Sequence, residues 1–126
     1  MDFLVHKLID SSQAKNCIES IQEDQSLWES GKKTAGSYAS LVKNNLQLKR
    51  DSEIALRNST VVSKAIRSNE LIKSFTLARK VHGIMFTKSS VGQGYGMHID
   101  NAYMSSGRSD LSFTLFLSDP KDYEGG

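Results

Sequence analysis

The chain has 126 residues, of which 38% are hydrophobic and 24% charged, a size and composition that fit one soluble domain and exclude a two-domain enzyme, a fibrous chain or a disordered one. Sixteen basic residues against 14 acidic ones leave a formal charge of +2; the cations are scattered rather than gathered into a stripe, so nucleic acid is not an expected partner. The single cysteine, Cys17, allows neither an internal disulfide nor a thiolate cluster, which points to a reducing, cytoplasmic setting.

In chain order, Met1 to Asp10 is too short for a signal peptide or a bilayer span, and Phe3 to Ile9 within it reads as a short strand. Asp10-Ser11-Ser12 supplies capping side chains, with Gln13 as a capping-box partner, so a helix is expected next. Ala14, Cys17, Ile18 and Ile21 keep the spacing of one buried stripe, while Lys15, Glu19, Gln22 and Glu23 face water. Cys17 thereby falls on the apolar face, as a small buried thiol rather than a nucleophile. Trp28 to Lys33 is a candidate strand. Tyr38 to Leu48 has no clear period, and its Asn44-Asn45 pair favours irregular or extended backbone. Glu53 to Arg67 again shows helical spacing through Ile54, Val61, Val62, Ala65 and Ile66. The glycosylation-like triplet Asn58-Ser59-Thr60 lies inside this helical pattern, so it is read as structural.

From residue 75 the period changes to two. Thr76 to Lys88 alternates Val81, Gly83 and Met85 against His82, Ile84 and Phe86. Asp110 to Ser118 alternates Leu111, Phe113, Leu115 and Leu117 against Ser112, Thr114 and Phe116. Between them lies the glycine-rich stretch from Val91 to Gly96, and Pro120 follows the last apolar run as a turn residue. Helices first and strands afterwards predict an α+β fold, with the helices backing a β-sandwich or barrel.

His98-Ile99-Asp100 is the triplet that can carry chemistry. In extended backbone its two polar side chains project to one side, about 6.6 Å apart along the strand, so an imidazole and a carboxylate can converge on one point. A nitrogen and a carboxylate donor suit a divalent first-row metal, and one more histidine would complete a two-histidine, one-carboxylate triad. A bare His-x-Asp also occurs by chance. Gly92, Gly94 and Gly96 are not a phosphate cradle, because they lead into this triplet and not into a helix N-terminus; they fit a tight turn and close backbone approach instead. Tyr95 falls on the opposite face in an ideal strand but can swing inward if the glycines bend the chain. His82 is expected to be a hydrogen-bonded core or rim residue, His6 is given no role, and no pattern singles out a serine nucleophile.

With those residues in place, the chain resembles the PKHD-type hydroxylases, a bacterial family related to prolyl 4-hydroxylases within the iron(II)/2-oxoglutarate dioxygenases. The likeness is carried by Gly31-Lys32-Lys33-Thr34-Ala35-Gly36, by Val42-Lys43-Asn44-Asn45-Leu46-Gln47-Leu48 and by His98-Ile99-Asp100-Asn101-Ala102. It continues from Arg108 to Ser112, Leu115 to Pro120 and Tyr123 to Gly126, in the same order. The resemblance implies a double-stranded β-helix, or jelly roll, backed by N-terminal helices: a single domain over 1–126, with 1–74 as helical support and 75–126 as the first core strands. It also implies Fe(II) held by His98 and Asp100, 2-oxoglutarate as cosubstrate, L-ascorbate as reductant, and Tyr95 as a pocket residue near the cofactor. The substrate would be a small molecule or a peptide, hydroxylated at a C–H bond as 2-oxoglutarate is decarboxylated to succinate.

The family's distal histidine ligand, and the basic residue that pairs with the far carboxylate of 2-oxoglutarate, follow a Gly-Gly that here is Gly125-Gly126. His6 and His82 precede the motif and do not match the distal position. The expectation is therefore a jelly roll truncated at its C-terminal side and inactive as it stands. The competing expectation is a degenerate, non-catalytic binding module, which predicts a cooperative melt.

Overall fold

The computed structural model describes residues 3–125. Helix α1 runs Ser11–Ile21 and begins as its cap residues dictate. The Asp10 carboxylate accepts from the Gln13 backbone N–H at 2.8 Å, while the Gln13 side chain accepts from the Asp10 N–H at 3.0 Å. Two amide groups that the first turn leaves unpaired are thus satisfied reciprocally. Cys17 and Ile21 are buried, and burial pushes the Cys17 thiol up, away from thiolate chemistry.

Helix α2 spans Glu53–Ser68, capped by Ser52 Oγ accepting from the Ala55 N–H. Its buried stripe is Ala55, Asn58 and Val62. Val61, expected on the inner face, is 52% exposed, because it sits about 100° round the helix from Val62. Asn58 is buried and its amide donates to Ser20 Oγ of α1 and to the Ile54 carbonyl, each at 2.9 Å. It ties the two helices together, which bears out the structural reading of the Asn58-Ser59-Thr60 triplet.

A short helix, α3 (Glu70–Thr76), follows directly, where the sequence pattern predicts none. Asn69 both ends α2 and caps α3, its side chain accepting from the Ile72 N–H at 3.0 Å. Thr76 therefore closes a helix instead of opening a strand, and Leu77 leaves it at φ 49°.

The strands are short. β1 (Trp28–Ser30) pairs antiparallel with β3 (Leu46–Leu48), and β3 pairs with β4 (Thr87–Lys88). A second ladder joins β2 (Lys43–Asn44) to β5 (Gly94–Tyr95), and a hairpin joins β6 (Tyr103–Met104) to β7 (Gly107–Arg108). The core forms where α1, α2 and the first sheet meet: Cys17, Ile21, Leu48, Ala55 and Phe86, with Leu27, Trp28, Ile54, Ile84 and Leu117 packed around them. The Trp28 indole N–H donates to the Ile21 carbonyl, so the half-buried ring packs without an orphaned donor.

The α+β class holds, with several corrections. Phe3 to Ile9 forms no strand. The candidate strand Trp28 to Lys33 stops at Ser30, where Ser30 Oγ caps a 3-10 turn over Gly31–Thr34. The Tyr38 to Leu48 segment is a 3-10 turn over Ala39–Leu41 followed by β2 and β3. Of Thr76 to Lys88 only the last two residues are strand, and Asp110 to Ser118 has none. Alternation nonetheless survives partly as burial: Phe86 is buried, His82 and Ile84 are half-buried, and Gly83 and Met85 face solvent. Pro120 opens a 3-10 turn, Pro120–Asp122. Among the described residues, no helix is long and apolar enough to cross a membrane.

Candidate metal centre

The site hangs from the core through one continuous stretch. β3 belongs to the core sheet, β2 precedes it by a single residue, and β2 registers Lys43 against Tyr95 and Asn44 against Gly94. Just beyond that ladder, Gly96 N donates to the Val42 carbonyl at 2.8 Å. The glycines leading to this point serve different needs. Gly92 has φ +79° in the turn closed by Gln93 N–H to the Ser90 carbonyl at 2.9 Å, a backbone region costly for any side chain. Gly96 allows close approach, since a Cβ there would lie 3.1 Å from Val42 Cβ, whereas Gly94 has open space around it.

His98, Ile99 and Asp100 lie outside any strand, which corrects the extended-strand expectation. The imidazole and carboxylate converge all the same: His98 Nε2 is 3.2 Å from Asp100 Oδ1. His98 Nδ1 is 2.8 Å from the Gly96 carbonyl, an acceptor only, so Nδ1 donates there and Nε2 is turned to the Asp100 carboxylate. In the metal-free ring an N–H on Nε2 closes that contact as a hydrogen bond. With a metal ion in place of that proton, the same nitrogen and carboxylate oxygen form the donor pair of a metal site whose histidine is oriented by a backbone carbonyl. The residues present therefore fit two protein ligands of a first-row divalent ion. Among the described residues no group of three or more His, Cys, Asp and Glu side chains is arranged to hold a metal, so a third ligand is not brought to this pair.

Tyr95 does swing toward the histidine. Its ring stacks on the His98 imidazole with centroids 3.6 Å apart and planes 10° from parallel. Partial burial, and secondarily the Asp100 carboxylate, push its phenol up, so the hydroxyl stays protonated. His82 is placed elsewhere: Nδ1 lies 2.6 Å from Ser106 Oγ and Nε2 3.1 Å from the Arg108 carbonyl. Both ring nitrogens are thus spent on the β6–β7 hairpin, in keeping with a rim histidine. His6 Nε2 contacts the Asn69 amide at 3.1 Å, also remote in role.

Lys43 stands in one of the matched motifs without an expected role. It is only 3% exposed, its ammonium lies 4.8 Å from the Tyr95 ring centroid, and desolvation lowers its pKa. The signal for it is the alternation Lys43, Asn45, Gln47, three polar residues at strand spacing that are all buried. They lie toward the 3-10 turn 31–34: Thr34 Oγ1 donates to Gln47 Oε1 at 2.6 Å, and a Cβ on Gly31 would collide with Asn45 Oδ1 and Lys43 Cε. Two neighbouring motif pieces, 31–36 and 42–48, are therefore one packed unit.

No family model and no solved structure matches the chain. It is 68% identical over 126 residues to a PKHD-type hydroxylase of Prochlorococcus marinus strain SARG. It is 61% and 56% identical over the same length to PKHD-type hydroxylases of strains MIT 9211 and MIT 9303. In each comparison all of this chain is covered, and it spans 57% of the relative's length. Aligned from end to end at that identity, the chain is similar to PKHD-type hydroxylases, of whose curated members it spans a little over half the length.

Proposed function

We propose that this chain carries part of the iron centre of an Fe(II)- and 2-oxoglutarate-dependent hydroxylase, with His98 and Asp100 as two of the metal ligands. The observation that supports this most is the convergence of His98 Nε2 and Asp100 Oδ1 at 3.2 Å, with Nδ1 held by the Gly96 carbonyl. When bound, Fe(II) with 2-oxoglutarate as cosubstrate and L-ascorbate as reductant would supply the oxidising power for hydroxylating a C–H bond of a small molecule or peptide. The chain's own part is positional. Gly96 fixes the tautomer and direction of His98, Tyr95 walls one side of the imidazole, and Asp100 brings the anionic donor.

In this reading residues 1–74, which also hold β1, β2 and β3, supply the helical support, and the opening strands of a jelly roll fall within 75–126. A third ligand and a cation for 2-oxoglutarate are assigned to the part of such a protein that these 126 residues do not span. Two protein ligands alone leave the isolated chain without turnover. The test is succinate release from 2-oxoglutarate with added Fe(II), in a protein extending these residues to the full length of the relatives. Activity that His98→Ala and Asp100→Ala each reduce by more than about a hundredfold, the upper end for outer-shell partners of a metal, is expected from losing a ligand itself. Turnover that survives both substitutions overturns the assignment.

A further inference from the structure

We propose that Lys43 is a positioning residue of the metal centre, acting through the Tyr95 ring to hold the His98 imidazole in its ligating orientation. The proposal deepens the hydroxylase reading and rests on it for the role of His98.

Three observations carry it. First, Lys43 is a charged side chain that the fold buries to 3% exposure, and among the described residues it makes no ion pair. A buried ammonium needs compensation, and the aromatic face 4.8 Å away is the group that offers it. Second, the contact is built into the backbone: Lys43 and Tyr95 are direct partners in the β2–β5 ladder, so ring and cation are brought together by main-chain register and not by side-chain reach. Third, the same ring stacks on His98 at 3.6 Å. The imidazole is thus fixed at two points, the Gly96 carbonyl on Nδ1 and the Tyr95 ring on its face.

Tyr95 alone is 38% exposed and sits in a two-residue strand, so its ring would sample other rotamers without a second contact. The buried end of the chain Lys43, Tyr95, His98 is the lysine, anchored beside Asn45 and Gly31. Removing the cation while keeping its bulk should free the ring, and through it the imidazole.

The test uses the 126-residue chain, with Co(II) as the probe metal under anaerobic conditions and nitrogen-15 NMR of the metal-free His98 ring. Lys43→Met is expected to weaken Co(II) binding by about three- to thirtyfold, the range for losing one desolvated cation–π contact. It should also lower the share of Nδ1-protonated tautomer in the metal-free ring. Lys43→Arg should restore most of both, and adding Lys43→Met to Tyr95→Leu should change little further, because both cut the same link. If Lys43→Met does not fold, Tyr95→Leu at its half-open position tests the link from the ring.

Unchanged affinity and tautomer in Lys43→Met, or losses from the two substitutions that simply add, overturn the proposal. A wild-type chain that fails to bind Co(II), or a His98→Ala variant that binds it equally well, sinks the metal assignment instead; the tautomer measurement then still decides whether Lys43 orients the ring.

Discussion

The stretch from α1 to α3 and the stretch that follows it treat their apolar residues in opposite ways. In the first, helical spacing becomes burial at Cys17, Ile21, Ala55 and Val62, and Leu48 of β3 joins them, although Tyr38, Leu41, Leu56 and Val61 stay exposed. In the second, only Phe86 is buried to that degree, while Val91, Met97, Ile99, Tyr103, Leu111, Phe113 and Phe116 all remain at least half exposed. The patterns in the sequence are equally regular, so hydrophobicity is not what separates them. A helix satisfies its backbone amides within one segment, and then needs only a surface to pack on. A strand satisfies them through a neighbour, and an alternating segment without a paired neighbour stays unladdered however well its side chains alternate.

The largest test of this contrast is a pair of truncations. Leu48→Ala, in the centre of the core, should cost about 2 to 5 kcal/mol by chemical or thermal denaturation, whereas Phe113→Ala at 52% exposure should stay within about 0.5 kcal/mol. Equal losses would show that the second stretch is packed as tightly as the first.

A smaller effect separates the glycines that lead to the metal site. Gly92→Ala forces a side chain into a left-handed turn and should destabilise by about 1 kcal/mol or more. Gly94→Ala, with nothing within 4 Å of its added Cβ, should be close to neutral. A denaturation midpoint that moves equally for both would mean that the turn is not holding its geometry.

The smallest effect is acid-dependent and belongs to the first region. Hydrogen bonds from Ser26 hold the Asp24 carboxyl below its ordinary 3.8, and Lys33 holds Glu29 below its ordinary 4.5. Both folded values are depressed, so the unfolded chain binds protons first as pH falls; the associated stability is full above about pH 4.5 and is lost as pH drops through the folded values. Asp24→Asn and Glu29→Gln together should flatten that acid limb, read as melting temperature against pH, by lowering stability slightly at pH 7 and leaving the acid end unchanged; the loss is small because Asp24 is exposed and Glu29 only half-buried.

Much of this was legible in the residues themselves. Asp10, Ser11 and Gln13 define the start of α1 because a cap is local chemistry, satisfied within four residues. The stripe Cys17, Ile18 and Ile21 locates the buried face for the same reason. α3 is hidden in the sequence because Asn69 closes one helix and opens the next without a break, and β4 is shorter than its alternation because only its end, Thr87 and Lys88, registers against Gln47 and Leu46 of β3, with Phe86 adding one carbonyl contact to Leu48.

At the site, spacing made His98 and Asp100 a candidate pair, since side chains two residues apart in irregular or extended chain can meet, and the family resemblance gave the pair its expected role. The contacts of His98 with the Gly96 carbonyl, Asp100 and the Tyr95 ring are local, whereas the arrival of buried Lys43 on that ring depended on β2 pairing with β5. That pairing joins positions 52 residues apart, 43 and 95, and no local pattern encodes it. The sequence by itself thus located α1 and α2, the core stripe and the family resemblance, because these rest on contacts within a few residues or on matched motifs. The tertiary structure alone decided that buried Lys43 meets the Tyr95 ring beside His98, because a ladder partner is chosen by the whole fold.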